Sequence, residues 1–225
     1  MVNVPLIVVS SPKRKRGSSV LALNLAGALW NDGYQVGLYS SERQKIEDFI
    51  EKRKEFCRIN QADVFLPKFV CGLDDFGEFS AIVADVSADD YQQNESIFNS
   101  AHTIITPLNN KDDILWQANG EYLNFIWKIK KHQAAQGIMY LNWIVVPYLK
   151  GEEETDFSPD LSEEAKRFGF RIAPAIYYRD EYMHVENGYC AADLQKSNLA
   201  KKMSLKDVYA RREILKLTDF IWQKK

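Results

Sequence analysis

The sequence has few of the residues that build redox centres, disulfide frameworks or metal sites. Its three cysteines, Cys57, Cys71 and Cys190, are widely separated, and it has only three histidines. An odd number of distant cysteines lacks the paired spacing of a zinc site or a redox pair. No arrangement of hydrolase nucleophile and base emerges either. These absences indicate a protein of a reducing compartment, and we expect it to be cytoplasmic.

Long apolar runs and a strong charge imbalance are also missing. The first apolar run, residues 4 to 10, has no basic flank before it, and no stretch approaches the roughly 18 apolar residues of a membrane span. We therefore expect no membrane association. The 29 basic and 31 acidic residues give a net charge of -2, so any attraction to nucleic acid must come from local patches.

The apolar pattern predicts one α/β domain over residues 1–225. The chain is 46% hydrophobic, and no linker composition divides it. Short buried strands alternate with amphipathic helices, which favours a doubly wound, mostly parallel sheet flanked by helices. Strands are predicted at 4–10, 35–39, 80–86, 102–107, 140–147 and 170–176, and helices at 18–31, 43–57, 110–135 and 159–168. A capping pair, Ser204 and Asp207, predicts the start of a C-terminal helix. In such folds the ligand lies beyond the carboxyl ends of the strands.

The loop after the first strand, SPKRKRG at residues 11–17, stands where a phosphate-binding loop would be. Such a loop has glycines, whose backbone amides hold phosphates, and a lysine at the start of the next helix. Against the variant pattern K-G-G-x-G-K-[ST]-T, three positions match, whereas the two central glycines and the lysine are replaced. The matches are Lys13, Gly17 and Ser19, whereas Arg14 and Lys15 replace two glycines and Ser18 replaces the lysine.

The order of several segments resembles a known family. The run SSPKxxxGxSxLALNLAGAL is similar to the ParA/MinD group of deviant phosphate-loop ATPases. The later segments TPLNN at 106–110, GFRI at 169–172 and ARRE at 210–213 narrow the resemblance to the MipZ family. The resemblance spans nearly the whole chain, and it implies the fold of a P-loop NTPase.

The resemblance also implies a set of site residues for ATP and Mg²⁺. Lys13 would be the signature lysine that reaches the phosphates of a partner subunit. Ser19 would bind Mg²⁺ through its hydroxyl, and Asp85 would hold the same ion through water. Glu42 takes the position of an aspartate in the first switch. The implied set is catalytic Lys13 and Glu42, nucleotide-binding Lys13, Gly17, Ser18, Ser19, Glu42 and Asp85, and metal-binding Ser19 and Asp85.

Several departures predict that this site is impaired. The D-T-P-G turn of the second switch is replaced by residues 85–88, DVSA, and the asparagine that reads adenine is missing from PYLK at 147–150. Each lost charge-assisted hydrogen bond removes roughly 1.5–3 kcal/mol, and each side chain forced into a glycine conformation costs about 1–3 kcal/mol. A total of about 5 kcal/mol lowers affinity more than a thousandfold. We therefore expect no tight binding of ATP or Mg²⁺ and no hydrolysis.

Two alternatives stay open for the loop. The four consecutive cations Lys13 to Arg16 could replace the lost lysine, which would leave a working ATP-dependent dimerising switch or a loose anion site. A solvated basic turn without a ligand is the other reading.

The C-terminal helix carries basic residues that the resemblance links to non-specific DNA binding. Lys206, Arg211 and Arg212 are the candidates, and a merely solubilising basic face is the alternative. The acidic run at 151–165 would repel a nearby duplex. The partners that the resemblance implies are a ParB-like partition protein, a tubulin-like division protein, and a second copy or an active paralogue.

Overall fold

The computed structural model describes residues 4–60, 66–109, 120–138, 141–149, 158–193 and 204–222. Within them the chain forms a parallel sheet with helices on both faces, which confirms the predicted fold class. The strands are β1 (Leu6–Ser10), β2 (Val36–Ser40), β3 (Lys68–Phe69), β4 (Ala81–Val86), β5 (Thr103–Leu108), β6 (Asn142–Leu149), β7 (Arg171–Ile172) and β8 (Ile176–Tyr177). The helices are α1 (Ser18–Asn31), α2 (Arg43–Asn60), α3 (Glu95–Asn99), α4 (Glu121–Ala135), α5 (Ser158–Phe168), α6 (Asp180–Met183) and α7 (Leu205–Trp222).

The strand order is β3-β2-β4-β1-β5-β6-β7, and β8 also pairs with β6. Every described pairing is parallel. β1, β4 and β5 are buried along their whole length, because helices cover both faces of the sheet. Alternate residues of β1 therefore enter different cores: Ile7 and Val9 pack with α1 and α7, whereas Leu6 and Val8 pack with α3 and α4.

Several predicted elements have different bounds in the structure. The helix predicted at 110–135 is observed as α4 from Glu121, and residues 110–119 lie outside the described ranges. The strand predicted at 170–176 is two short strands, since Pro174 between them has no N–H to give to a ladder. β6 continues to Leu149 because β8 pairs with its last residues, Tyr148 and Leu149. Tyr148 is therefore part of a strand and not of the following loop.

The C-terminal helix α7 begins at the predicted capping pair. The Ser204 N–H donates to the Asp207 carboxylate at 2.8 Å, and the Asp207 N–H donates to the Ser204 hydroxyl at 3.2 Å. This reciprocal bonding satisfies two amides that a helix start leaves unpaired. One face of α7 buries Ala210, Ile214 and Leu217 in the core shared with α1. None of the described helices is both long and apolar enough to cross a membrane.

A buried ion pair joins α2 to the segment that precedes residue 194. Arg53 of α2 is completely buried, and its guanidinium binds both carboxylate oxygens of Asp193 at 2.6 and 2.7 Å. The same guanidinium donates to the Gly188 carbonyl at 2.7 Å. Asp193 also accepts the Cys190 N–H at 2.7 Å. Both charges are thus compensated inside the protein, which is what keeps a buried pair tolerable.

We expect Arg53→Ala to lower the free energy of unfolding by about 3–5 kcal/mol, because Asp193 would keep a buried and uncompensated charge. The double variant Arg53→Met with Asp193→Leu should regain most of the loss, since it buries no charge. Urea denaturation measures both. Arg58→Ala, which breaks the exposed pair with Glu55, is the control and should cost less than about 1 kcal/mol. A double variant as unstable as the single one would contradict this account.

Candidate phosphate-binding site

A cavity of about 540 Å³ opens at the carboxyl ends of the central strands. The loop after β1 and the start of α1 form its floor, and the starts of α2 and of the segment after β4 form one side. The end of β6 and the segment around α6 form the other side. Its lining residues are Lys13 to Val20, Glu42, Lys45, Ser87, Ala88, Asn109, Tyr148, Tyr178, Arg179, Tyr182, Met183 and Glu186. The position is the one that the strand topology predicts for a ligand.

The loop after β1 keeps a glycine-type backbone at one of its substituted positions. Lys15 has φ 59°, and Gly17 has φ 82° directly before α1. A left-handed conformation costs an L-residue other than glycine roughly 1–2 kcal/mol. Arg14 is not in this region of φ. The Ser11 hydroxyl supports the turn by donating to the Lys13 carbonyl at 2.6 Å. The curvature of the loop therefore survives at residue 15, although the residue there is a lysine.

The start of α1 carries features that favour an anion. Gly17 offers no side-chain cap, and the first turn contains no acidic residue. The unpaired amides of a helix start carry partial positive charge. Ser18, at the position of the lysine in phosphate loops, is half-buried at the cavity floor. Its short hydroxyl cannot supply the charge of an ammonium, so this position contributes a hydrogen bond at most.

Ser19 and Asp85 meet at the base of the site. Asp85 lies at the end of β4, is 4% exposed, and accepts a hydrogen bond from the Ser19 hydroxyl. Its Oδ1 has no hydrogen-bond partner among the described residues. Burial raises the pKa of Asp85 to about 6, while the Ser19 hydrogen bond and Lys45 act in the opposite direction. A buried carboxylate oxygen without a partner, beside a hydroxyl, is a donor set that suits Mg²⁺. The residues present therefore fit the metal that the resemblance implies.

Glu42 and Lys45 lie on the same side of the cavity and pair with each other. The Glu42 carboxylate is 2.5 Å from the Lys45 ammonium, and the Glu42 N–H donates to the Ser40 hydroxyl at 3.0 Å. Lys13 also lines the cavity. Of the residues that the resemblance assigns to nucleotide, metal and catalysis, Lys13, Gly17, Ser18, Ser19 and Glu42 line the cavity. Asp85 is joined to them through its hydrogen bond with Ser19.

A wall of tyrosines completes the cavity, and sequence reasoning missed most of it. The Tyr148 ring lies 3.7 Å from the place where a Cβ on Gly17 would be, and it is 8% exposed. Burial raises the pKa of its hydroxyl. Tyr178 and Tyr182 extend the wall. The departure at Tyr148 was visible in the sequence, but the other two depend on the pairing of β8 with β6, which no local pattern announces.

Glu213 of α7 holds this wall in place. Its carboxylate accepts hydrogen bonds from the Arg179 guanidinium at 2.7 and 3.1 Å, from the Tyr182 hydroxyl at 2.7 Å and from the Tyr177 N–H at 3.2 Å. The Tyr182 hydroxyl also lies 3.0 Å from the Ala210 carbonyl of the same helix. The C-terminal helix is therefore connected to the cavity wall at Glu213 and at Ala210.

The three candidate DNA-binding residues do not line the cavity and differ in exposure. Lys206 and Arg212 are exposed on α7, whereas Arg211 is half-buried with its Nε shielded from solvent. They therefore do not present three equivalent cations to a duplex. Their role in DNA binding stays a prediction.

Comparison with known proteins assigns the family. A sequence model described as ATPase MipZ matches residues 73–221, more than half of the chain. The chain belongs to the MipZ family. The matched span includes Asp85 and the tyrosine wall and begins after the loop of residues 11–17. None of the curated proteins compared with the sequence matches it.

Solved structures support the fold of this MipZ-family protein. A plasmid partition protein from Borrelia burgdorferi bound to AMPPNP is 13% identical, with 98% of this chain and 99% of that chain covered and a TM-score of 0.59. The MinC:MinD cell division complex of Aquifex aeolicus is 12% identical, with 99% of this chain and 97% of that chain covered and a TM-score of 0.61. The ATP complex of a Cyanothece McdA variant is 13% identical, with 99% of this chain and 98% of that chain covered and a TM-score of 0.61. At these identities the likeness establishes the fold alone.

We expect Asp85→Asn to stabilise the protein at neutral pH. The pKa of the Asp85 carboxyl is about 6 in the folded protein, whereas an aspartate in the unfolded chain has its usual pKa of 3.8. As pH rises between these values, the unfolded chain loses the proton and the folded chain keeps it, so stability falls. Above pH 6 the penalty is constant at about 3 kcal/mol. Urea denaturation should show a gain of about 2–3 kcal/mol at pH 7.5 and almost none at pH 4.

Asp219→Asn, at an exposed position of α7, is the control for Asp85→Asn and should show no such pH-dependent gain. An Asp85→Asn protein that is less stable than the wild type at every pH would contradict a free-energy cost for the buried, ionised Asp85.

We expect Lys15→Gly to be about 1 kcal/mol more stable than Lys15→Ala, because only glycine adopts the left-handed conformation without strain. Comparing glycine with alanine cancels the loss of the lysine side chain. The same pair at Lys54, which is exposed within α2, should have the opposite sign by a similar amount. Thermal denaturation of the four variants tests this, and equal signs at the two positions would exclude a left-handed residue 15.

Proposed function

We propose that this MipZ-family protein serves division-site placement or chromosome segregation without hydrolysing ATP, and acts by binding other macromolecules. The observation that carries the proposal is the start of α1. There Ser18 takes the place of the phosphate-binding lysine, and Lys15 puts a side chain on a glycine-type turn. Phosphoryl transfer depends on placed positive charge and an ordered water. A flexible cation at the rim is a poor substitute for a lysine fixed at the helix start.

The residues that remain would attract phosphates more than they would position them. The α1 amides and Lys13 supply positive potential, and Ser19 and Asp85 would hold Mg²⁺, which when bound neutralises phosphate oxygens. Ser87 and Ala88 follow Asp85 in place of the proline and glycine of the family turn. That segment therefore lacks the glycine whose freedom would allow it to move as a second switch. We infer loose nucleotide binding at most.

The proposed partners follow from the family and its structural neighbours. A plasmid partition protein and a MinC:MinD complex share the fold, so we propose a ParB-like partition protein or a tubulin-like division protein as the direct partner. A second copy or an active paralogue is proposed as the subunit for dimerisation. Weak DNA binding through Lys206 and Arg212 would be blind to sequence and sensitive to salt. We further propose that residues 1–225 act as one domain in the cytoplasm.

A working ATP-dependent dimerising switch is the second candidate function. It is favoured by the charges of the cavity lining, where six cations, Lys13, Arg14, Lys15, Arg16, Lys45 and Arg179, outnumber Glu42 and Glu186. The intact pair of Ser19 and Asp85 also favours it. Melting curves separate the two functions, because a ligand at a hundred times its dissociation constant adds about 2.7 kcal/mol of stability. A shift of that size with millimolar Mg-ATP would support the switch.

We expect the triple variant Arg14→Gly, Lys15→Gly and Ser18→Lys to gain at least a hundredfold in affinity for Mg-ATP, because it restores the backbone cradle and the ammonium. Isothermal titration calorimetry measures the gain. The same variant with Ser19→Ala is the control and should lose most of it. A reverted loop that stays inert would place the defect outside the loop. Wild-type protein that hydrolyses ATP faster than its Ser19→Ala variant would refute the proposed function.

A further inference from the structure

The pairing of β2 with β4 continues past the ends of the two strands. The last register pair of these strands is Ser40 with Asp85. Beyond it the Ser41 N–H donates to the Asp85 carbonyl at 3.1 Å, and the Ser41 hydroxyl accepts the Ser87 N–H at 3.0 Å. The Ser41 side chain thus takes the place of a backbone carbonyl as the acceptor of the next hydrogen bond between the two chain segments. The loops after β2 and β4 are joined at the side of the cavity that Ser87 lines.

The segment after β4 is also bonded to itself and to β2. The Ser87 hydroxyl donates to the Asp90 carboxylate at 2.9 Å, and the Asn94 amide donates to the Asp90 carbonyl at 2.9 Å. The Tyr39 hydroxyl of β2 donates to the side-chain oxygen of the same Asn94. The turn over residues 87–94 is therefore fixed by side chains of its own and of the neighbouring strand.

An ion pair joins the loop after β1 to the same turn. The Arg14 guanidinium contacts the Asp89 carboxylate, with side-chain exposures of 73% and 49%. Arg14 lines the cavity, so the residue that replaced a glycine of the phosphate loop is engaged by a carboxylate of the protein. An anion in the cavity would have to compete with Asp89 for this guanidinium.

We propose that Arg14, Ser41, Ser87 and Asp89 form a clasp that holds the loops after β1, β2 and β4 in one arrangement without any ligand, with Asp89 acting as an internal anion for Arg14. The inference rests on the proposed function, because a protein that does not pass through a hydrolysis cycle has no need to move these loops. The clasp would keep the surface around the cavity constant, so that a partner could bind it without nucleotide.

Hydrogen exchange of the full chain without nucleotide tests the clasp. The amide of Ser87 should be protected, and Ser41→Ala should speed exchange in peptides covering residues 86–92 about tenfold, as expected for one lost hydrogen bond. Peptides from the middle of β4 should not change. Ser162→Ala, at an exposed position of α5, is the control. Unprotected exchange at 86–92 in the wild type, or protection that appears only with Mg-ATP, would overturn the proposal.

Binding of inorganic pyrophosphate without metal tests the role of Asp89. Calorimetry at low salt should show affinity about threefold to tenfold higher for Asp89→Asn than for the wild type. Arg14→Ala in the Asp89→Asn background should abolish that gain. Asp180→Asn is the control, since it removes the same charge from an exposed position next to the cavity-lining Arg179 and outside the clasp. An equal gain from Asp180→Asn, or no pyrophosphate binding by any variant, would overturn the assignment of Asp89.

The two tests fail independently of the proposed function. If the wild type hydrolyses ATP, the proposed function is wrong while the exchange data still decide the clasp. If residues 86–92 are unprotected and no ATP is hydrolysed, only the clasp is wrong.

Discussion

Parallel pairing of β1 with β4 is the constraint on which the site depends. The register joins Val9 to Asp85 and Ser10 to Val86, so both strands end at the same edge of the sheet. Because both faces are covered by helices, neither strand can slip without moving apolar side chains out of a core. The loop after β1 must therefore turn above Asp85. Ser19, in the first turn of α1, comes within hydrogen-bond distance of that carboxylate as a result.

The loop shows that backbone shape and site chemistry can diverge. Gly17 and Lys15 hold the left-handed conformations that curve the chain into α1, whereas Ser18 has removed the charge that such curvature usually positions. The surrounding core over-determines the turn, because α1 is buried from Leu21 to Leu29 and cannot shift to relieve one strained residue. A lysine is consequently held in a glycine conformation. Cationic side chains lie instead along the loop before the helix, where the Asp89 carboxylate pairs with Arg14.

Polar contacts between residues that are distant in the sequence join the elements near the cavity. Arg53 ties α2 to Asp193, and Glu213 ties α7 to Arg179 and Tyr182 of the cavity wall. Each connects elements that are far apart in sequence and adjacent to the site. A change in the wall would therefore affect α7, and a change at Arg53 in the second half of α2 would affect the segment around Asp193. α7 also carries the exposed cations Lys206 and Arg212.

The sequence by itself determined the parallel α/β class, the family and the altered chemistry of the loop, because these depend on local apolar runs and on residue types at fixed spacing. α1 and the capping pair at Ser204 were predictable for the same reason. The sequence could not place Tyr178 and Tyr182 in the cavity wall, since their position follows from the pairing of β8 with β6. The left-handed Lys15, the raised pKa of Asp85 and the pair of Arg14 with Asp89 also arise only in the fold. Tertiary structure decided these features because burial and contact between distant residues exist only once the sheet has formed.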